Sequence, residues 1–193
     1  MTQKRWLTTI VVLLCLAALA AASFIYSGVY DVAASEPHSA VSQWVLHTTM
    51  RRSVSARAKS VDAPAQFSQD QVRAGGSEFR EMCVDCHGAP GQERGEVGKG
   101  LNPSPPDLAE AGSSWSSAEI FWILKNGIKM TGMPAFGPTH SDDVLWSIVA
   151  FVKQKLPQLT PEDFKSLGSG ERSPTPAGDH AHGHDHNDHD HGH

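Results

Sequence analysis

Cys83-Val84-Asp85-Cys86-His87-Gly88 decides how the rest of this chain is read. Two thiols separated by two residues let a curling backbone present both to the two vinyl groups of one haem, and an imidazole directly after the second thiol then faces the iron. The hexapeptide predicts one covalently bound haem c, attached through Cys83 and Cys86 with His87 as the proximal iron ligand. Rival readings of the pair fit poorly. A closed zinc site needs four ligands, and no second Cys or Cys/His pair at matching spacing stands in the body of the chain. A thioredoxin-like dithiol needs a strand-to-helix setting that flanks rich in Pro and Gly do not offer. The third cysteine, Cys15, lies inside an apolar run, so three cysteines cannot build a disulfide framework.

Forty residues or so downstream, Ile128-Lys129-Met130-Thr131-Gly132-Met133-Pro134-Ala135-Phe136 offers two thioethers for the second axial position. A thioether suits a low-spin haem because it favours ferrous iron. Met133 is the predicted ligand: Gly132 lets the backbone approach the porphyrin, and Pro134 restricts Met133 to an extended conformation. Met130 is the alternative. With both axial positions filled, substrate has no place at iron, so the expectation is a one-electron carrier and not an enzyme. A haem enzyme or gas sensor would require Met133 to be away from iron.

Helix signals surround these two segments. Ser141-Asp142-Asp143 reads as a helix start, followed by Leu145, Ile148, Val149 and Val152 with Trp146 and Phe151, until Pro157 stops it. Ser116 or Ser117 caps a helix with apolar Ile120, Phe121, Ile123 and Leu124, ending near Gly127 and leading into the methionine loop. Trp115, Trp122 and Trp146 read as core or haem-packing residues. His140 is read as a surface residue with the option of approaching a haem carboxylate. The fold class expected is all-α.

In this order, Cys83-x-x-Cys86-His87, Pro105-Pro106-Asp107-Leu108 and Gly132-Met133-Pro134 resemble a class I c-type cytochrome domain, over roughly Ser68 to Leu156. Gly75, Phe79 and Cys83, at helical spacing before the haem motif, make the chain similar to the cytochrome domains of bacterial respiratory oxidases. The resemblance implies that the first and last helices cross near the haem edge, a small residue on one (Gly75 or Gly76) admitting an aromatic from the other. It also implies that the carbonyl of Pro106, or of neighbouring Pro105, accepts from the His87 ring nitrogen that faces away from iron.

Outward from the domain, Trp6 to Tyr30 carries no charge, and Trp6 to Tyr26 alone would make a helix of roughly 30 Å. Aromatic residues near both ends, and Lys4 and Arg5 before it, predict a retained anchor in a bacterial inner membrane with the haem domain in the periplasm. A cleaved signal peptide, with Ala20-Ala21-Ala22 before Ser23, is the rival. Cys15 reads as an ordinary helix residue there. Ser35-Glu36-Pro37 reads as the start of a short amphipathic helix with Val41, Trp44, Val45 and Thr48 on one face, turned to the membrane surface, to a partner subunit or to solvent. His38 and His47 are unsuited to sharing one ion. The division expected is 1–30 anchor, 31–67 connector and linker, 68–157 haem domain, and 158–193 disordered tail.

That tail ends in His180, His182, His184, His186, His189, His191 and His193 interleaved with aspartates, which predicts loose capture of copper, nickel or zinc. Protonation in mild acid would release the metal. A net charge of -5, with Asp179, Asp185, Asp188 and Asp190 in the terminal histidine-aspartate tract, excludes a basic face for nucleic acid. The partners expected are redox proteins, the membrane through the N-terminal helix, and a larger membrane complex if the chain is the haem subunit of an oxidoreductase. A metal-handling protein led by its tail is the reading from a different class.

Overall fold

The structure, a computed structural model, describes residues 3–167. Its α-helices are α1 (Gln3–Ser27), α2 (Ala40–Ala58), α3 (Gln69–Met82), α4 (Val84–His87), α5 (Glu96–Gly100), α6 (Leu108–Ala111), α7 (Ser117–Asn126), α8 (Asp142–Gln154) and α9 (Pro161–Ser166). No strand occurs among the described residues, and the fold is all-α. The histidine tail lies outside those residues.

The body is built around the crossing of α3 and α8. Ser68 caps α3 by accepting from the Gln71 N–H while the Gln71 side chain accepts from the Ser68 N–H, so two otherwise orphaned donors are satisfied at once. Phe79, Leu145, Ile148 and Phe151 are completely or almost completely buried between the two helices. Each side chain of that size contributes about 1.5–3 kcal/mol on leaving water. The helices meet at Gly75, where a Cβ would overlap the Ser147 carbonyl, and at Gly76, where it would lie 3.1 Å from the Phe151 ring. Gly75 therefore makes room for backbone and Gly76 for the aromatic. Ser147, buried at the crossing, returns its hydroxyl to the Asp143 carbonyl at 2.9 Å and leaves no donor stranded.

α7 and α8 close the body. Ser116, not Ser117, is the cap of α7, in a reciprocal box with Glu119. Phe121 of α7 stacks on Trp146 of α8 with ring centroids 4.1 Å apart, and Lys125 bonds Asp142 at 2.7 Å where the two helices approach. α8 stops at Gln154, and Pro157 sits inside a following 3-10 turn, Leu156–Gln158.

Two elements differ from the sequence reading. The helix after the anchor begins at Ser39, whose hydroxyl accepts from the Ser42 N–H, and it runs to Ala58. The carbonyl of Glu36 is held instead by the Asn102 side chain at 2.7 Å, a contact 66 residues away in sequence. Val41, Trp44 and Val45 are exposed, whereas Val54 and Ala58 near the other end are buried. Finally, ordered packing continues beyond residue 158: Thr160 and Asp163 form a capping box with Pro161 at the first turn of α9. Phe164 then packs edge-on to Phe79, and its carbonyl accepts from Arg80 at 2.7 Å.

α1 is long and apolar enough to cross a membrane, as a signal sequence near the N-terminus also is, and none of its residues is buried. Its 25 residues correspond to about 37 Å of helix.

Candidate functional site

α3 delivers Cys83 at its C-terminal cap, and a single helical turn, α4, carries Cys86 and His87 onward. The turn is closed by the His87 N–H on the Cys83 carbonyl at 2.8 Å and the Gly88 N–H on Val84 at 2.8 Å. The chain then leaves α4 through Gly88 at φ 72, a region open to glycine at little cost. Cys83 is buried and Cys86 half-buried, both as free thiols. Burial pushes the Cys83 thiol up to about 12, with the Cys86 and Glu78 charges acting in the same direction, so it stands protonated at neutral pH.

The Nδ1 atom of His87 lies 2.8 Å from the carbonyl of Pro106. A carbonyl only accepts, so Nδ1 carries the proton and Nε2 keeps its lone pair. Burial holds the ring below the usual histidine range; the Pro106 hydrogen bond opposes this, the Arg94 charge adds to it and Asp107 opposes it. The result is a neutral imidazole fixed in one tautomer, which is the form that ligates metal. It is Pro106, and not Pro105, that takes this position.

Facing these groups is the methionine loop. Gly127 ends α7 at φ 65, and a Cβ there would crowd the Met133 carbonyl and the Ala135 nitrogen at 2.8 Å. Beyond it the loop is tied to itself: the Ile128 N–H bonds the Met133 carbonyl at 3.2 Å, Thr131 Oγ1 donates to Ile128 at 2.8 Å, and the Met133 N–H donates to Thr131 Oγ1 at 3.1 Å. Phe136 and Gly137 return their N–H groups to the Leu124 and Lys125 carbonyls.

A cleft of about 300 Å³ lies between the haem motif and this loop, with an almost wholly apolar lining. Cys83, Cys86, His87 and Met133 all line it, with Leu101, Leu124 and Trp115 among the walls. Met130 does not: at φ 59 it turns outward and is 86% exposed. Gly132 lines the cleft beside Leu101, into whose side chain a Cβ would run.

Two thiols, one imidazole with a bare lone pair and one thioether around a single apolar cleft form a donor set and an enclosure that fit haem c. His140 stays out of the cleft, bonding Thr139 at 2.8 Å and lying edge-on to Phe136. Trp146 is a core residue, whereas Trp115 lines the cleft. Neither His38 nor His47 belongs to a group able to hold a metal, since no cluster of three His, Cys, Asp or Glu exists among the described residues.

Sequence reasoning missed how the stretch around Trp115 is held. Lys153 of α8 donates to the carbonyls of Gly112 at 3.0 Å and Trp115 at 2.8 Å. From α2, the Arg51 guanidinium lies 4.0 Å over the Trp115 ring and reaches the Ser114 carbonyl at 3.3 Å. Neither cation carries a local sequence signal.

A family model described as cytochrome c oxidase, cbb3-type, subunit III, matches residues 70–152, somewhat less than half of the chain. No curated protein matches the chain.

Proposed function

Proceeding from residues 70–152 as a c-type cytochrome domain of the kind found in cbb3-type oxidases, we propose that this chain passes single electrons through one haem c held by Cys83, Cys86, His87 and Met133. The observation that carries the reading is the convergence of those four side chains on one apolar cleft. When bound, haem c supplies a reversible one-electron couple at iron.

The chain's own residues prepare that couple in three ways. Pro106 orients His87 and makes it a stronger donor through the Nδ1 proton. The Thr131 knot presents Met133 from a loop whose backbone is already satisfied, so little ordering remains to be done on ligation. Leu101, Ile123, Leu124, Ile148 and Val152 exclude water from the cleft, which limits reorganisation when charge changes.

α1 is the membrane anchor in this reading. Lys4 and Arg5 hold its start on the cytoplasmic side and place the haem domain in the periplasm of an inner membrane. The family description of an oxidase subunit supports partners that are membrane redox proteins, with the chain working as a haem subunit or carrier beside them.

The test is an oxidised and reduced optical spectrum of the full-length protein extracted from membranes, with the intact mass measured on the same sample. Covalent haem, a red to near-infrared band of methionine-sulfur ligation that vanishes in Met133→Ala, and a mass that includes residues 1–30 are the expected results. Ready carbon monoxide binding by the unaltered protein would overturn the carrier reading. A mass lacking the first segment would overturn the anchor.

A further inference from the structure

We propose that α2, which lies wholly before the family-matched segment, buttresses the haem-cleft wall from outside, with Arg51 as the positioning residue that holds Trp115 in place. The inference rests on the haem site proposed above.

A helix that merely spaces an anchor from a domain has no reason to bury side chains in that domain. α2 packs along α7 and buries Val54 and Ala58 almost completely. Arg51, Val54, Ser55 and Ala58 fall at i, i+3, i+4 and i+7, one face of the helix. Apolar contact fills the C-terminal end of that face, and a cation occupies the other.

The cation backs a residue of the cleft wall. Arg51 covers the indole of Trp115 at 4.0 Å and donates to Ser114 at 3.3 Å, and Trp115 lines the cleft beside Gly112 and Ile120. The turn Gly112–Ser114 has no side-chain cap of its own. It is secured by Lys153 from inside the body and by Arg51 from outside. Ser55, on the same face, lies near Glu119, the capping-box acid of α7, and its hydroxyl helps to hold that carboxyl low. Thus α2 touches both the cleft rim and the start of the helix that leads into the methionine loop.

A guanidinium stacked on the rim does two things: its planar fork fixes the indole, which an ammonium cannot copy, and it places positive charge at the edge of a water-poor cleft. Positive charge there disfavours oxidised iron.

The experiment compares full-length holoprotein with Arg51→Gln, Arg51→Lys, Trp115→Phe and the Arg51→Gln/Trp115→Phe double variant. Three quantities are read: midpoint potential, uptake of imidazole by the oxidised protein, and acrylamide quenching of tryptophan fluorescence, which needs no electron-transfer assay. Arg51→Gln is expected to lower the potential, to raise imidazole affinity several-fold and to increase quenching. Arg51→Lys should restore the potential more than the quenching. In the Trp115→Phe background the Arg51→Gln changes in imidazole affinity and quenching should largely vanish, the sign of action through Trp115. Wild-type values in all three readouts for Arg51→Gln would overturn the proposal, as would equal effects on imidazole affinity and quenching with and without Trp115. A wild-type chain without covalent haem would overturn the site itself, and is seen before any variant is compared.

Discussion

The α3–α8 crossing and the α2–α7 contact are both helix pairings that bear on one cleft, and they are made of different material. At the first, backbone meets backbone: Gly75 faces the Ser147 carbonyl, Phe79 and Phe151 pack with centroids 5.3 Å apart, and nothing charged intervenes. At the second, side chains meet side chains: Val54 and Ala58 give a small dry patch, and Arg51 and Ser55 add polar contacts to Trp115, Ser114 and Glu119. The first pairing leaves no room to adjust. The second rests on small apolar side chains and one long cation that can yield, and so it is where an element outside the domain can be joined to it without fixing its sequence closely.

Gly75→Leu breaks the first pairing outright. The added side chain has to enter Ser147 backbone and not a movable neighbour, and overpacking of that kind costs about 3 kcal/mol or more. Urea unfolding followed by far-ultraviolet circular dichroism should show a large drop in midpoint or no cooperative transition; a midpoint like wild type would mean that the helices do not cross at Gly75. Gly76→Ala is the matched control, because its Cβ meets only the rim of the Phe151 ring.

The contrast also explains what the sequence made legible. Cys83, Cys86, His87 and the glycines before them could be read because their chemistry is local and periodic, and Ser68, Ser116 and Ser141 announce helices through their own side chains. Met133 could be preferred to Met130 because Pro134 restrains it, and the structure shows Met130 turned to solvent. By contrast, the buried face of α2 consists of a valine and an alanine chosen by the shape of α7, with no period strong enough to outrank the more apolar Val41, Trp44 and Val45. Glu36, read as the helix start, has its carbonyl held by Asn102, and no reading of residues 31–41 contains Asn102. α9 is a different case: Thr160-Pro161-Glu162-Asp163 is a complete helix-start signal, overshadowed by the Ser, Pro and Gly that follow.

Val54→Ala weakens the second pairing without breaking the first. Removing the equivalent of two buried methyl groups costs about 1–2 kcal/mol. If α2 is joined to the body, that loss should appear in the same single transition as the body unfolds, monitored through the haem absorbance. An unchanged midpoint would place α2 outside the cooperative unit.

The smallest effect expected sharpens the polar half of the same pairing. The Ser116 N–H chiefly, against the opposing effect of burial and with the Ser116 and Ser55 hydroxyls and the Arg51 charge after it, holds the Glu119 carboxyl below the usual glutamate range. Because its pKa is lower folded than unfolded, Glu119 contributes stability that is present above the ordinary carboxylate range and is lost as pH falls through the lowered folded value. The group is only partly buried, so solvent keeps the contribution small. Glu119→Gln retains an acceptor for the capping box but does not titrate. Its urea midpoint should therefore fall less steeply than that of wild type on acidification, and the difference should shrink when Arg51 is also replaced by Gln. Parallel acid limbs for wild type and Glu119→Gln would show that α2 and the α7 start are joined by apolar packing alone.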